Sequence, residues 1–234
     1  MENEKSVVDA AVEAEAAPQP NKSKKKLGII AGVVAAVIVV AGAGFWVWHE
    51  TPGFCGAICH TPMDPYLATY EAEPGEASID KWGNEVSDAK AMTASYHRIA
   101  GATCLDCHES NLSLQIAEGM SWITGSYEVK ANETYGVVAV ERSIDELAEA
   151  VGKDGETICL NEACHNMTRD NLAALTADEH GHRNPHVDQH GNTTCSDCHK
   201  AHRASVNDCS RCHADSKIPE GWLTAAQSKM LETA

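Results

Sequence analysis

A long uncharged run near the N-terminus is the strongest feature of the hydropathy pattern. No charged side chain occurs from Leu27 to Trp48, and a lysine cluster at positions 22–26 comes directly before this run. A helix of this length spans about 33 Å, enough to cross a hydrocarbon core of about 30 Å. The run ends in large aromatic residues around Trp46 instead of a small-residue cleavage site, which favours an uncleaved transmembrane helix over a signal peptide.

The polar segments on either side of this run predict three parts of the chain. Residues 1–26 are rich in Glu and Ala and then basic, and are predicted to be a disordered cytoplasmic tail. Residues 27–48 form the anchor, and residues 49–234 form one domain. Because lysines precede the anchor, the N-terminus is predicted to face the cytoplasm, with a single span in the cell membrane and the large domain outside.

Beyond the anchor, regular periodicity is sparse. Apolar residues at helical spacing predict a helix over 140–152 that begins at Ser143 or Asp145 and ends by Gly152. No alternating strand run appears. The other predicted elements are a helix over 167–178, a helix over 223–233 and a loop over 71–90. The fold class is therefore mainly α with much irregular structure and one N-terminal transmembrane helix.

Composition points to a core that is not built from side chains alone. Phe occurs twice and aromatic residues make up 5% of the 234 residues, which is little for a domain of this length. Flat apolar cofactors would fill such a core. The net charge of −16 argues against nucleic-acid binding. This charge either steers a partner with a basic docking patch or keeps the surface soluble.

The ten cysteines form five pairs, and a histidine directly follows each pair. Cys-x-x-Cys-His is the attachment motif of c-type haem, in which two thioethers hold the porphyrin and the histidine binds the iron. Neither a zinc ribbon nor a disulfide framework requires five adjacent histidines. The sequence thus predicts a multihaem cytochrome c with five covalently attached haem c groups. The attachment residues are Cys55, Cys59, Cys104, Cys107, Cys159, Cys164, Cys195, Cys198, Cys209 and Cys212, and the proximal iron ligands are His60, His108, His165, His199 and His213.

Two of the five pairs have extra spacer residues. Three residues separate Cys55 from Cys59, and four separate Cys159 from Cys164. An extra residue can bulge out as a loop, so both thioethers are still expected to form at these two motifs.

Histidines outside the motifs supply candidates for the second axial position of each iron. Those close to a motif are predicted distal ligands: His97, His186, His190 and His202. His180 and His182 are left open, and His49 is expected at the membrane interface. Met63 is either core filler or an iron ligand that raises the potential of the first haem. An iron with both axial positions filled transfers electrons, whereas an open iron can also bind a substrate.

Two stretches of the chain resemble known families. The anchor with Phe54-Cys55-x-x-x-Cys59-His60-x-x-Met63-x-Pro65, followed by Ala102-Thr103-Cys104-Leu105-Asp106-Cys107-His108, resembles the NapC/NirT/NrfH family of membrane-anchored multihaem quinol dehydrogenases. The segment from Asn184-Pro185-His186 to Cys212-His213 resembles the haem domain of flavocytochrome c fumarate reductases. In that second family the counterparts of His186, His190 and His202 are distal haem ligands.

The resemblance implies a function in membrane electron transport during anaerobic respiration. Menaquinol would be oxidised at the lipid surface beside the first haem, and five haems would carry the electrons to an extracytoplasmic terminal reductase, flavin-dependent by analogy. Cys55 lies only seven residues beyond Trp48, so this haem must lie near the membrane. Glu128 and Lys130 are the nearest counterparts of the family's acidic residue and lysine beside the quinol, and are the candidate catalytic residues; otherwise they are exposed charges.

Three interpretations remain open at this point. The chain is either an enzyme that oxidises quinol or a passive relay reduced by another membrane protein. A multihaem nitrite or hydroxylamine reductase is the third interpretation, and it requires an open catalytic iron.

Overall fold

The computed structural model describes residues 22–58, 60–180, 183–187, 190–191 and 193–232. The chain divides into two compact units, the first ending at Trp46 and the second beginning at Val47. The first unit contains most of helix α1, which runs from Lys22 to His49. From Lys25 onward this helix has a mean hydropathy of 2.5 and none of its most apolar stretch is buried. A helix that is apolar on all sides and unburied is compatible with a membrane anchor, and it contains the predicted span 27–48. The predicted disordered tail lies almost entirely outside the described residues.

Short helices separated by turns make up most of the second unit. They are α2 (Pro52–Ile58), α3 (His60–Glu71), α4 (Thr93–Ile99), α5 (Cys104–Cys107), α6 (Leu112–Thr124), α7 (Ile144–Ala150), α8 (Gly155–Cys159), α9 (Arg169–Leu175), α10 (Ala177–His180), α11 (Cys195–Cys198) and α12 (Ala225–Glu232). The chain is therefore mainly helical, as predicted. The helix predicted over 140–152 is α7, which a capping box of Ser143 and Glu146 begins. The region 167–178 forms α9 and the start of α10, and the C-terminal helix is α12.

Three small sheets were not predicted. Antiparallel pairs join β1 (Ser78–Ile79) to β2 (Glu85–Val86) and β3 (Val129–Asn132) to β4 (Gly136–Ala139), and a parallel pair joins β5 (Val206–Asn207) to β6 (Leu223–Thr224). The prediction of a plain loop over 71–90 was therefore wrong. Strands of two to four residues are too short for an alternating pattern to be recognised.

The side-chain core is small and consists mostly of small residues. Val86, Ala89, Ala91, Met92 and Ala204 pack together where the segment before α4 meets the chain after α11. Backbone bonds join these two segments directly: the Thr93 N–H donates to the Lys200 carbonyl at 2.9 Å, and the Ser205 N–H donates to the Ala91 carbonyl at 2.9 Å. Alanine and serine at this contact let the two backbones approach each other. This contact holds the start of α4, which carries His97, and the segment after α11, which carries His202.

Candidate haem centres

One helical turn presents the cysteine pair and the histidine in the regular second and fourth motifs. Thr103 and Thr194 begin α5 and α11, and each forms a capping box with the aspartate three residues later. The Thr103 N–H donates to Asp106 at 2.6 Å, and the Thr194 N–H donates to Asp197 at 2.7 Å. Because an aspartate three residues on bonds the capping N–H, even a four-residue helix is held at its start.

The same closing hydrogen bond occurs in four of the five motifs. In each, the histidine N–H donates to the carbonyl of the first cysteine of the motif. The distances are 2.8 Å for His108–Cys104, 3.2 Å for His165–Cys159, 2.9 Å for His199–Cys195 and 2.9 Å for His213–Cys209. This bond places the histidine at the end of the turn, next to both sulfurs.

In the third motif the two extra residues form a turn around Asn161. Its side-chain oxygen accepts from the N–H groups of Ala163 at 2.9 Å and Cys164 at 3.1 Å. Its amide nitrogen donates to the Ile158 carbonyl at 2.9 Å. The extra length therefore bulges out while the histidine still closes on the first cysteine, so this irregular motif keeps the local geometry of the regular ones.

Four histidine pairs bring each of these motif histidines opposite a histidine from another part of the chain. The distances between ring centroids are 5.9 Å for His97–His165, 6.3 Å for His108–His202, 6.4 Å for His186–His199 and 6.2 Å for His190–His213. A metal–imidazole bond is about 2 Å long, so two imidazoles on opposite faces of one metal have ring centres about 6 Å apart. The observed separations fit an iron held between the members of each pair.

Hydrogen bonds at Nδ1 leave Nε2 of three of these histidines free to bind iron. The Nδ1 of His202 lies 2.7 Å from the hydroxyl of Thr69, which itself donates to the Tyr66 carbonyl at 2.9 Å. The Nδ1 of His97 lies 2.7 Å from the Thr93 carbonyl. A carbonyl only accepts, and a hydroxyl that already donates elsewhere accepts, so Nδ1 carries the proton. Such outer partners orient metal-binding histidines.

The third of these bonds has the same form. The Nδ1 of His186 lies 3.0 Å from the hydroxyl of Thr176. That hydroxyl donates its own hydrogen to the Leu172 carbonyl at 2.8 Å. Burial of the His199 ring lowers its pKa to about 4, and repulsion from His186 adds to the effect. Desolvation also lowers the pKa of His186 and His202. These imidazoles are thus neutral near pH 7, the form that binds metals.

Cysteines of neighbouring motifs lie side by side. No disulfide joins the cysteines that the structure describes. Hydrogen bonds join the Cys55 thiol to Cys104 and the Cys159 thiol to Cys195. The first motif therefore lies beside the second, and the third beside the fourth. Among the described residues no group of three His, Cys, Asp or Glu side chains converges as it would around zinc.

The remaining predicted residues have varied surroundings. Cys59, His182 and the side chain of His60 lie outside what the structure describes. Met63 is half-buried on α3. His180 lies 6.3 Å from the His186 ring, which is itself opposite His199. The His49 ring packs on Phe54 at 4.8 Å.

The candidate catalytic residues Glu128 and Lys130 are both exposed at the start of the β3–β4 hairpin. This hairpin packs on α3, where the Tyr66 hydroxyl donates to the Ala139 carbonyl at 2.9 Å. The predicted acid and lysine are therefore brought near the helix that follows the first motif.

A buried ion pair near the second motif is a feature that sequence reasoning missed. Lys81 is 4% exposed and lies 2.8 Å from Glu141, over the ring of Tyr66. Desolvation lowers the pKa of Lys81, and Glu141 opposes that change. The Tyr66 ring in turn lies 5.0 Å from His202. The sequence around Lys81 does not indicate this ion pair, because the partner Glu141 lies sixty residues later in the chain.

Comparisons with known proteins identify the family of the chain. The family model for cytochrome c3 matches residues 144–214, which contain the last three motifs. The chain is 52% identical over 215 residues to the cytochrome c-type protein Cgr1 of Eggerthella lenta, covering 92% of this chain and 95% of that protein. No solved structure matches the chain.

Proposed function

Because this chain belongs to the multihaem c-type cytochrome family, we propose that it takes electrons from menaquinol at the membrane and passes them to an extracytoplasmic terminal reductase. The observation that carries the proposal is the set of four opposed histidine pairs in one domain that follows a helix of membrane-spanning length. When bound, haem c supplies reversible one-electron chemistry at its iron.

The chain's residues divide into attachment, proximal and distal roles. Ten cysteines would hold five haem c groups, and the histidine after each pair would be the proximal ligand. The distal ligands would be His202 opposite His108, His97 opposite His165, His186 opposite His199, and His190 opposite His213. Two histidines at one iron would leave no position for a substrate, which favours electron transfer over catalysis at these four centres.

The first motif is the proposed entry point for electrons. Its Cys55 follows the end of α1 at His49 by six residues, and six extended residues reach about 20 Å at most. A centre attached there stays close to the bilayer that contains the quinol. Met63 on α3 is the candidate axial ligand at this centre, and a thioether ligand raises the potential of a haem.

Glu128 and Lys130 are the proposed proton-handling residues. Oxidation of a quinol releases two protons, and a carboxylate open to water can accept them. Glu128 is exposed on the hairpin that packs on α3, so it combines solvent access with nearness to the helix of the first motif. Glu128 directly precedes β3, and Lys130 is the second residue of that strand, so the two lie two positions apart on the same hairpin.

Anaerobic reduction of the membrane-embedded protein by a menaquinol analogue tests the proposal through the haem absorption band. We expect fast reduction that a quinone-site inhibitor blocks, and a decrease in rate of about 10²-fold for Glu128→Gln. Glu133→Gln, an exposed carboxylate at the turn of the same hairpin, is the matched control and should leave the rate unchanged. Full reduction by dithionite with none by quinol would instead identify a relay fed by another membrane protein.

The proposed acceptor is a reductase with a basic docking surface. The chain has a net charge of −16, and opposite charges on a partner accelerate encounter at low salt. A flavin-dependent reductase of the fumarate-reductase kind is the proposed class, on the resemblance of the C-terminal region alone.

A further inference from the structure

Helix α6 has an apolar stripe that no other described part of the protein covers. The side chains of Leu112, Ile116, Met120 and Ile123 are 67%, 59%, 53% and 81% exposed. Successive residues of a helix are about 100° apart, so these four positions fall on one face. A continuous exposed apolar face of this kind marks an interaction surface.

The opposite face of α6 is the one that contacts the domain. Leu114, Gln115, Ser121 and Trp122 are the half-buried residues of the helix, and they cluster on the side away from the stripe. Glu118, on that same side, lies 3.8 Å from the side chain of Arg142, which follows the β3–β4 hairpin. The end of the hairpin therefore lies behind α6, on the side away from the stripe.

The position of α6 in the domain indicates what does cover it. The helix begins five residues after Cys107 of the second motif, and the Cys104 thiol of that motif is hydrogen-bonded to the Cys55 thiol. Cys55 follows the end of α1 by only six residues. A stripe held this close to a membrane anchor meets lipid at high effective concentration. At the C-terminal end of the helix, the rings of Trp122 and Tyr127 lie 4.1 Å apart, and such amphipathic rings favour the headgroup region.

We propose that α6 lies in the headgroup boundary of the bilayer, with Leu112, Ile116, Met120 and Ile123 among the acyl chains, as a second membrane contact beside the anchor. The helix contains no Lys, Arg or His, so apolar burial and not attraction to anionic lipid holds it there. The contact fixes which side of the domain faces the membrane and keeps the first motif against it. The inference rests on the anchoring part of the proposed function and not on quinol oxidation.

Photolabelling of the full-length holoprotein in vesicles tests this contact. The vesicles contain phosphatidylcholine with a diazirine group on its acyl chain, and labelled peptides are identified by mass spectrometry. We expect labelling of α1 and of the α6 peptide, and none of α9, whose Leu175 is also an exposed apolar residue. Replacing half of the lipid with phosphatidylglycerol should leave the α6 labelling unchanged.

Two variants separate the stripe from a general surface effect. Ile116→Ser with Ile123→Ser should reduce labelling of α6 to the level of α9, while labelling of α1 and the haem spectrum stay the same. Leu175→Ser is the matched control and should leave α6 labelled. Labelling confined to α1 would overturn the proposal, because it would show that the stripe does not reach the acyl chains. Because no step uses quinol, these outcomes are independent of the quinol assay.

Discussion

At the scale of single residues, the threonine hydroxyl behind His202 is a positioning group with a measurable effect. Thr69 is fully buried and accepts the hydrogen bond of the His202 Nδ1–H at 2.7 Å. This bond increases electron donation by the imidazole and so stabilises the oxidised metal. We expect Thr69→Val to raise the midpoint potential of that centre by about 60 mV, equivalent to a tenfold change for one electron. Thr69→Ser keeps the hydroxyl and should restore the potential measured by spectroelectrochemical titration; an unchanged potential in the valine variant would contradict this role.

The histidine pairs make a second residue-level prediction, which uses two neighbouring histidines. His186 lies opposite His199, whereas His180 lies beside His186 and opposite no motif histidine in the described part of the chain. His186→Ala should leave one iron five-coordinate, so that one haem per chain becomes high-spin and binds carbon monoxide. His180→Ala should leave all centres low-spin. Electron paramagnetic resonance and carbon monoxide difference spectra measure both, and the reverse result would reassign the distal ligand.

At the scale of elements, the bulge of the third motif depends on one side chain. Asn161 holds the two extra residues by accepting from two backbone N–H groups. Loss of such a capping acceptor costs about 1 kcal/mol, and the turn has few other bonds. Asn161→Ala is expected to produce a fraction of chains with one haem fewer than the unchanged protein, counted by intact-protein mass spectrometry. Asn161→Asp keeps both acceptor bonds and should retain the full haem content. Full haem content in the alanine variant would show that the thioethers hold the bulge without this turn.

The sequence could predict the elements that depend on neighbouring residues in the chain. The motifs are local, so their cysteines, their histidines and the helix α7 with its Ser143 cap are readable directly from residue spacing. The pairing of histidines is less local: His97 lies opposite His165 and His108 opposite His202, and backbone contacts such as that between Thr93 and Lys200 hold these distant segments together. The short strands were missed for a related reason, because their two to four residues are specified by neighbours in space.

At the scale of the whole molecule, the charge balance predicts opposite salt effects for two kinds of oxidant. The chain carries 34 acidic against 18 Lys and Arg residues, and haem propionates would add further negative charge. Attraction between the domain and a cation is screened by salt over a Debye length of about 10 Å at 0.1 M, and repulsion of an anion is screened equally. Stopped-flow reoxidation of the reduced protein by a cationic ruthenium ammine should therefore slow as ionic strength rises, and reoxidation by ferricyanide should accelerate.

The dependence of these two rates on ionic strength distinguishes charge that guides a partner to its docking site from charge that only maintains solubility. Charge that guides a partner lies at the site where electrons leave. Both reoxidation rates should then change steeply with ionic strength, and in opposite directions. Charge spread evenly and far from the exit would give two shallow slopes. A rate with the cationic oxidant that does not change with salt would remove the electrostatic argument for a basic partner, and it would leave the acceptor to be identified by its shape and apolar contacts alone.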